Sequence, residues 1–189
     1  MREENFFQNL LNKRIVLLDD DINDKLIDRI KVQMIFLSNE DKDLPIYLYI
    51  DSKGGMLRDS LFLYDFIKAL PTKVIAIVNG KACSSAFLAM LACGQKKSTP
   101  HSLFMIHGTR HEIVVRFPAD NNKFIVEEKL KEAEDLFSKV LSIYEKELNV
   151  DKNRILEIMK NSNETEVFIN LENVRQLGVN IEEIENFNY

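Results

Sequence analysis

Gly80-Lys81-Ala82-Cys83-Ser84-Ser85-Ala86 lies between two apolar stretches of different kind. Val74, Ile75, Ile77 and Val78 before it read as a buried strand ending at Asn79-Gly80, while Phe87, Leu88, Met90 and Leu91 after it continue as a mostly buried helix. Ser84 therefore stands where a strand turns into a helix. Such a corner exposes a hydroxyl and aims the first free helix amides outward, where they can hold a developing oxyanion. A serine hydroxyl is a poor nucleophile at neutral pH and needs an imidazole within reach to take its proton. His107 closes the next apolar run, Leu103-Phe104-Met105-Ile106, and so also falls at a strand end, where layered α/β folds place functional side chains.

An isolated serine cap and a polar strand end would account for these two residues, but a third element joins them. Ile46-Tyr47-Leu48-Tyr49-Ile50 is a β-rich run that ends in Asp51-Ser52-Lys53-Gly54-Gly55-Met56, ahead of a periodic helix with Leu57, Leu61, Tyr64 and Ile67. Strand, double glycine and helix make a compact anion-binding geometry, because glycine allows positive φ and close approach of backbone amides to a ligand oxygen. Further strands are expected over Ile15 to Leu18 and Leu103 to Ile106. Helices are expected over about Asn23 to Ser38, Leu57 to Leu70 and Ser85 to Cys93. Asp151 and Asn170 suit helix N-caps and Gly178 a helix stop. Strands alternating with helices predict a layered α/β domain.

IYLYIDSKGG, the helix containing Leu63-Tyr64-Asp65, the segment GKACSSA and the segment PHSLFMIH together resemble, in order and rough spacing, the proteolytic subunit of the Clp protease. The resemblance to this ClpP family of serine peptidases runs from about residue 13 to 181, including Asp21 to Asp24, Gln33 to Leu37 and Phe168 to Gly178. It implies the ClpP/crotonase fold, with a protruding handle made of an extended segment and a long helix over 109–148, in a single domain spanning 1–189. It also implies a nucleophile at Ser84, a general base at His107 and oxyanion-hole amides at Gly55 and Ser85. Aligning backwards from Gly94 would put Ser85 on the nucleophile. The GxAxS pattern of Gly80, Ala82 and Ser84 is the more constrained, since small residues surround the reacting hydroxyl, and it selects Ser84.

Departures from the family pattern are local. Lys53 stands where the family usually has Pro, and Ser85 where it usually has Met. The orienting Asp of the triad falls on Glu166, counted back from Phe168 and Gly178, at a spacing from His107 about ten residues longer than the family's. A carboxylate there holds the imidazole in the right tautomer, and Glu fills that role in other hydrolases. After His107, Thr109 to Asp120 replaces the family's Gly-rich strand, and no glycine follows Gly108 until Gly178. The next helix is marked by Val126, Leu130, Ala133, Phe137, Val140, Leu141, Tyr144 and Leu148 at steps of mostly three and four.

Composition fits an assembly subunit. The 189 residues, 46% of them hydrophobic, can bury a substantial core, and no Pro/Gly/Ser linker or repeat divides the chain. Net charge of −5 argues against a nucleic-acid partner, which requires clustered Lys and Arg. Cys83 and Cys93 lie on apolar stretches and read as reduced and buried, so Cys83 is a poor rival to Ser84. His101, His107 and His111 lack partners at zinc-site spacing, and neither a metal nor another cofactor is expected. The acidic start Met1-Arg2-Glu3-Glu4-Asn5 gives no signal peptide or membrane span. The expected location is the cytoplasm or an organelle interior.

No GxxxxGK[ST] phosphate loop occurs, so ATP use would belong to a partner. The resemblance implies homo-oligomeric or mixed heptameric rings, fed with unfolded polypeptides by a Clp-type AAA+ unfoldase. Tyr47 and Tyr49 match positions near the ATPase-receiving face, and the family's N-terminal hairpin reads as shortened or altered. Two other functions stay open: a weakly active or inactive ClpR-like structural subunit, and a crotonase-type acyl-CoA enzyme.

Overall fold

The run Val74–Val78 is apolar at every position because it forms the middle of a parallel sheet and is covered on both faces. The computed structural model describes residues 2–108, 122–164 and 168–187. After helix α1 (Arg2–Asn12), three strand-helix units follow: β1 (Ile15–Leu18) with α2 (Asp24–Glu40), β2 (Ile46–Ser52) with α3 (Leu57–Ala69), and β3 (Val74–Cys83) with α4 (Ser85–Ala92). Strands β4 (Gln95–Ser98) and β5 (Leu103–Met105) come next, then helices α5 (Asn122–Glu147), α6 (Lys152–Glu164) and α7 (Leu171–Gln176), and last β6 (Glu182–Glu183). All strand pairs are parallel, in the order β1-β2-β3-β4-β6, with β5 pairing the second half of β3.

This architecture is the α/β layering expected from the alternation of strands and helices. Three details differ from the expectation. Strand β3 does not stop at Asn79-Gly80 but runs on to Cys83, because the Asp51 carboxylate packs under Gly80 and accepts the Lys81 N–H at 3.0 Å. Residues 2–12 form a helix in place of a reduced hairpin, with Leu11 packed on the core. Gln95–Ser98 forms a strand without apolar alternation, held between β3 and β6.

Arg14 anchors the β1 side of the sheet. Its guanidinium donates to the carbonyls of Leu37 (2.9 Å), Asp41 (2.8 Å), Leu44 (3.0 Å) and Pro45 (3.1 Å), the end of α2 and the loop into β2. These are carbonyls at and just beyond a helix terminus, where the helical ladder runs out, and a fixed fork of donors suits them better than a flexible ammonium. Arg14→Ala is expected to cost about 2–3 kcal/mol of stability, the range for hydrogen bonds to a charged group, and Arg14→Lys to recover less than half. Urea midpoints measure both.

Helix α5 is about 39 Å long at 1.5 Å per residue. Its first half is exposed, including Phe124, Ile125, Val126 and Leu130, whereas Val140, Leu141, Tyr144 and Leu148 enter the core. The extended part of the handle expected over Thr109–Asp120 lies outside the described residues. Near the buried end of α5, the Glu147 carboxylate accepts from Tyr64 Oη at 2.6 Å and pairs with Lys68 Nζ at 2.7 Å, fastening α5 to α3. Burial pushes the Glu147 carboxyl up, but the hydrogen bonds from Lys68 and Tyr64 outweigh it and hold the group below its ordinary value. A depressed carboxyl stabilises the fold above its unfolded value and loses that contribution as pH falls through the folded one. Glu147→Gln should therefore cost about 1 kcal/mol at pH 7, and its denaturation midpoint should converge on the wild-type value as the medium is acidified past the carboxylate range.

Candidate active site

The register of β3 against β5 builds the site. Cys83 pairs with Met105, and the Ser84 N–H donates to the Met105 carbonyl at 2.8 Å, so the corner after β3 is fastened to the end of β5. Ser84, just past β3, and His107, two residues past β5, line one cavity of about 960 Å³. Ser84 takes φ 53° and ψ −121°, an unfavourable backbone for a residue with a Cβ, at a cost on the order of 1–3 kcal/mol. It occupies the N-cap position of α4, yet its side chain makes no capping bond. Serine caps ordinarily accept a helix amide. Here the strained corner turns the hydroxyl to the cavity instead, in the manner of a nucleophile elbow.

Gly54 packs directly against this corner, and Gly55 against the loop before α2. A Cβ on Gly54 (φ +98°) would lie 2.7 Å from the Cys83 carbonyl oxygen and 2.9 Å from both Ser84 Cβ and Ser85 N. A Cβ on Gly55 would overlap the backbone of Ile22. The Ile22 N–H donates to the Gly54 carbonyl and the Met56 N–H to the Ile22 carbonyl, both at 2.8 Å, and these bonds pin the turn to the loop before α2. The amides of Gly55 and Ser85, assigned to the oxyanion hole from sequence, donate to no other group among the described residues. They are two unspent donors flanking the Ser84 corner.

The two serines are distinguished by burial and bonding. Ser85 is 2% exposed, and its hydroxyl donates to the Gly55 carbonyl at 3.1 Å. Ser84 is half-buried and uncommitted. The alternative register that would make Ser85 the nucleophile thus has no free hydroxyl behind it. Cys83 is buried at 1% exposure, inside the end of β3. His107 is half-buried, and its Nδ1 hydrogen-bonds the Gly108 carbonyl. With Nδ1 carrying the proton, Nε2 is left as the basic nitrogen. Glu166 lies outside the described residues. The chain that follows it returns to β5, where Ile169 forms an antiparallel bridge with Phe104 through bonds of 2.9 and 2.8 Å.

Leu88, Leu136, Val140 and Tyr144 give the cavity an apolar wall, two-sided because Leu88 belongs to α4 and the rest to α5. Its polar rim contains Asn23, Lys53, Lys129 and an ion pair between Arg58 and Glu132 that links α3 to α5. The family model for the Clp protease matches residues 1–183. The chain belongs to the Clp protease family.

Within this family, the chain is 39% identical over 97 residues to the ATP-dependent Clp protease proteolytic subunit 3 of Synechococcus sp. (strain CC9605). That match spans about half of each protein: 50% of this chain and 48% of the cyanobacterial one. A solved structure of a ClpP1 mutant from Listeria monocytogenes superposes with a TM-score of 0.76 over 96% of both chains at 23% identity, which gives the same fold. The ClpP-type fold expected from GKACSSA and IYLYIDSKGG is therefore the fold of this Clp-family chain. Tyr49 of this chain, matched from sequence to the ATPase-receiving neighbourhood, is half-buried with its ring 5.7 Å from that of Phe187. No helix of the described residues is long and apolar enough to cross a membrane.

Packing at the double glycine sets a stability test with an internal control. Gly54→Ala is expected to lower stability by roughly 3 kcal/mol, since it combines a strained φ with a clash against backbone. Gly94→Ala, whose added methyl would meet nothing closer than 3.8 Å, should stay within about 1 kcal/mol of wild type. Thermal melts of the two variants provide the comparison.

Proposed function

We propose that this chain is a serine endopeptidase subunit of a Clp-type assembly, cutting unfolded polypeptides delivered by a separate ATPase. The observation that carries the reading is the Ser84 hydroxyl, held uncommitted on a strained strand-helix corner in the same cavity as His107. In the reaction, His107 Nε2 takes the Ser84 proton as Oγ attacks the scissile carbonyl. The Gly55 and Ser85 amides receive the oxyanion of the tetrahedral intermediate. As the intermediate collapses, His107 returns the proton to the leaving amine; water then enters by the same route in reverse and releases the acyl group from Ser84.

Glu166 is proposed as the third member, orienting His107. Support comes from the family resemblance, and from the Phe104–Ile169 bridge, which brings the described chain from residue 168 onward back to β5, the strand that leads to His107. The name of the Synechococcus relative, an ATP-dependent protease subunit, supports assignment of this chain to a multi-subunit, ATP-driven particle. Stacked heptameric rings, homomeric or mixed, with α5 and its preceding segment as the handle between them, are the assembly proposed from the family resemblance. The exposed apolar first half of α5 suits a helix that is covered on assembly.

A fluorophosphonate probe tests the chemistry. The assembled chain should acquire one covalent adduct on Ser84, identified by peptide mass. Ser84→Ala should abolish it, and His107→Ala should slow it at least about a thousandfold, as expected for loss of a triad member. An assembled particle that leaves Ser84 unlabelled would remove the peptidase reading and leave the structural-subunit one.

A further inference from the structure

We infer that Ser85 is a positioning residue: its hydroxyl sets the distance between the two amides of the oxyanion hole. The inference rests on the reading of Ser84 as the nucleophile. Its starting point is the hydrogen bond from Ser85 Oγ to the Gly55 carbonyl, 3.1 Å long, between a helix start and a glycine turn. One amide of the hole belongs to Gly55 on the turn after β2, and the other to Ser85 on α4. Each is fixed to a different part of the protein.

The bonds around Gly55 show why a tether matters. The peptide before it is held through the Gly54 carbonyl by Ile22 N–H, and the peptide after it through Met56 N–H by the Ile22 carbonyl. Both bonds tie the turn to the loop preceding α2, and neither reaches α4. Gly55 itself has no Cβ to restrict it, so its amide direction depends on where its two flanking peptides are fastened. Ser85 Oγ supplies the link from the turn to the helix. It acts within a contact where Gly54 already lies against the Cys83 carbonyl and the Ser85 amide, and where Ser85 is 2% exposed. Water cannot readily replace a donor buried to that degree.

An oxyanion hole works because its donors are in place before charge develops. Loosening one donor relative to the other weakens the transition state while leaving substrate contacts along the apolar wall untouched. A Met at this position, the usual family residue, has no hydroxyl to donate, so this tether belongs to chains that carry a hydroxyl here.

The experiment compares wild type, Ser85→Ala and Ser85→Thr, using a fluorogenic peptide amide for turnover and a fluorophosphonate for Ser84 acylation. Both variants keep the backbone amide. Ser85→Ala should lower kcat about tenfold, with KM unchanged and Ser84 labelling slowed in parallel, and Ser85→Thr should recover most of the loss. Should Ser85→Ala fail to assemble, Ser85→Cys keeps the volume with a weaker donor and must show the same fall in kcat. Wild-type rates in Ser85→Ala would overturn the inference while the nucleophile stands, as would a joint fall in kcat and thermal stability that Thr does not rescue. A wild-type particle with no Ser84 adduct would overturn both this inference and the reading beneath it.

Discussion

Everything about the site depends on one contact, Gly54 pressed, without a side chain of its own, against the Cys83 carbonyl, the Ser84 Cβ and the Ser85 amide. Two strand-to-helix corners, one after β2 and one after β3, are thereby brought closer than any pair of residues with Cβ atoms could come. The parallel pairing of β2 with β3 makes the approach available by ending both strands at the same level. Glycine then removes the last obstacle. A serine with a free hydroxyl and amides with no other partner among the described residues share one volume because the sheet brings its strand ends there.

The same strand ends explain what was readable in the sequence. Val74–Val78, Ile46–Ile50 and the helix from Leu57 carry strong periodic patterns, so their existence and type were plain, and the motifs hung between them marked Ser84, His107 and the double glycine. Asn79-Gly80 looked like a strand end because local chemistry favours a turn there. What overrides it is the Asp51 carboxylate 30 positions earlier, a partner no window of neighbouring residues contains. Gln95-Lys96-Lys97-Ser98 carries no strand pattern at all, and its pairing comes from the open edge of β3. Helix α1 did leave a trace, Phe6, Phe7, Leu10 and Leu11 at helical spacing. The role of the Ser85 side chain was not legible either, since a hydroxyl three ångströms from a carbonyl exists only once the chain is folded.

Arg14 and Glu147 do at the periphery what the glycines do at the centre. Arg14 gathers carbonyls from α2 and the β2 approach, fixing the ends of β1 and β2 opposite to the Gly54-Gly55 turn. Glu147 fastens the inner end of α5 to α3 through Tyr64 and Lys68, and α5 supplies much of the cavity's apolar wall. The cavity is thus bounded by a strained corner on one side and, on the other, by a helix whose C-terminal half enters the core. Its shape is set by an ion pair at the rim and a carboxylate at the root.

Ser84 itself has a further consequence. Its backbone would be more comfortable as glycine, which takes φ 53° without a Cβ in the way. Selection for foldability alone would erase this side chain. Under the proposed chemistry, variants chosen for heat resistance and variants chosen for turnover would diverge first at position 84, where stability is given up to hold the proposed nucleophile.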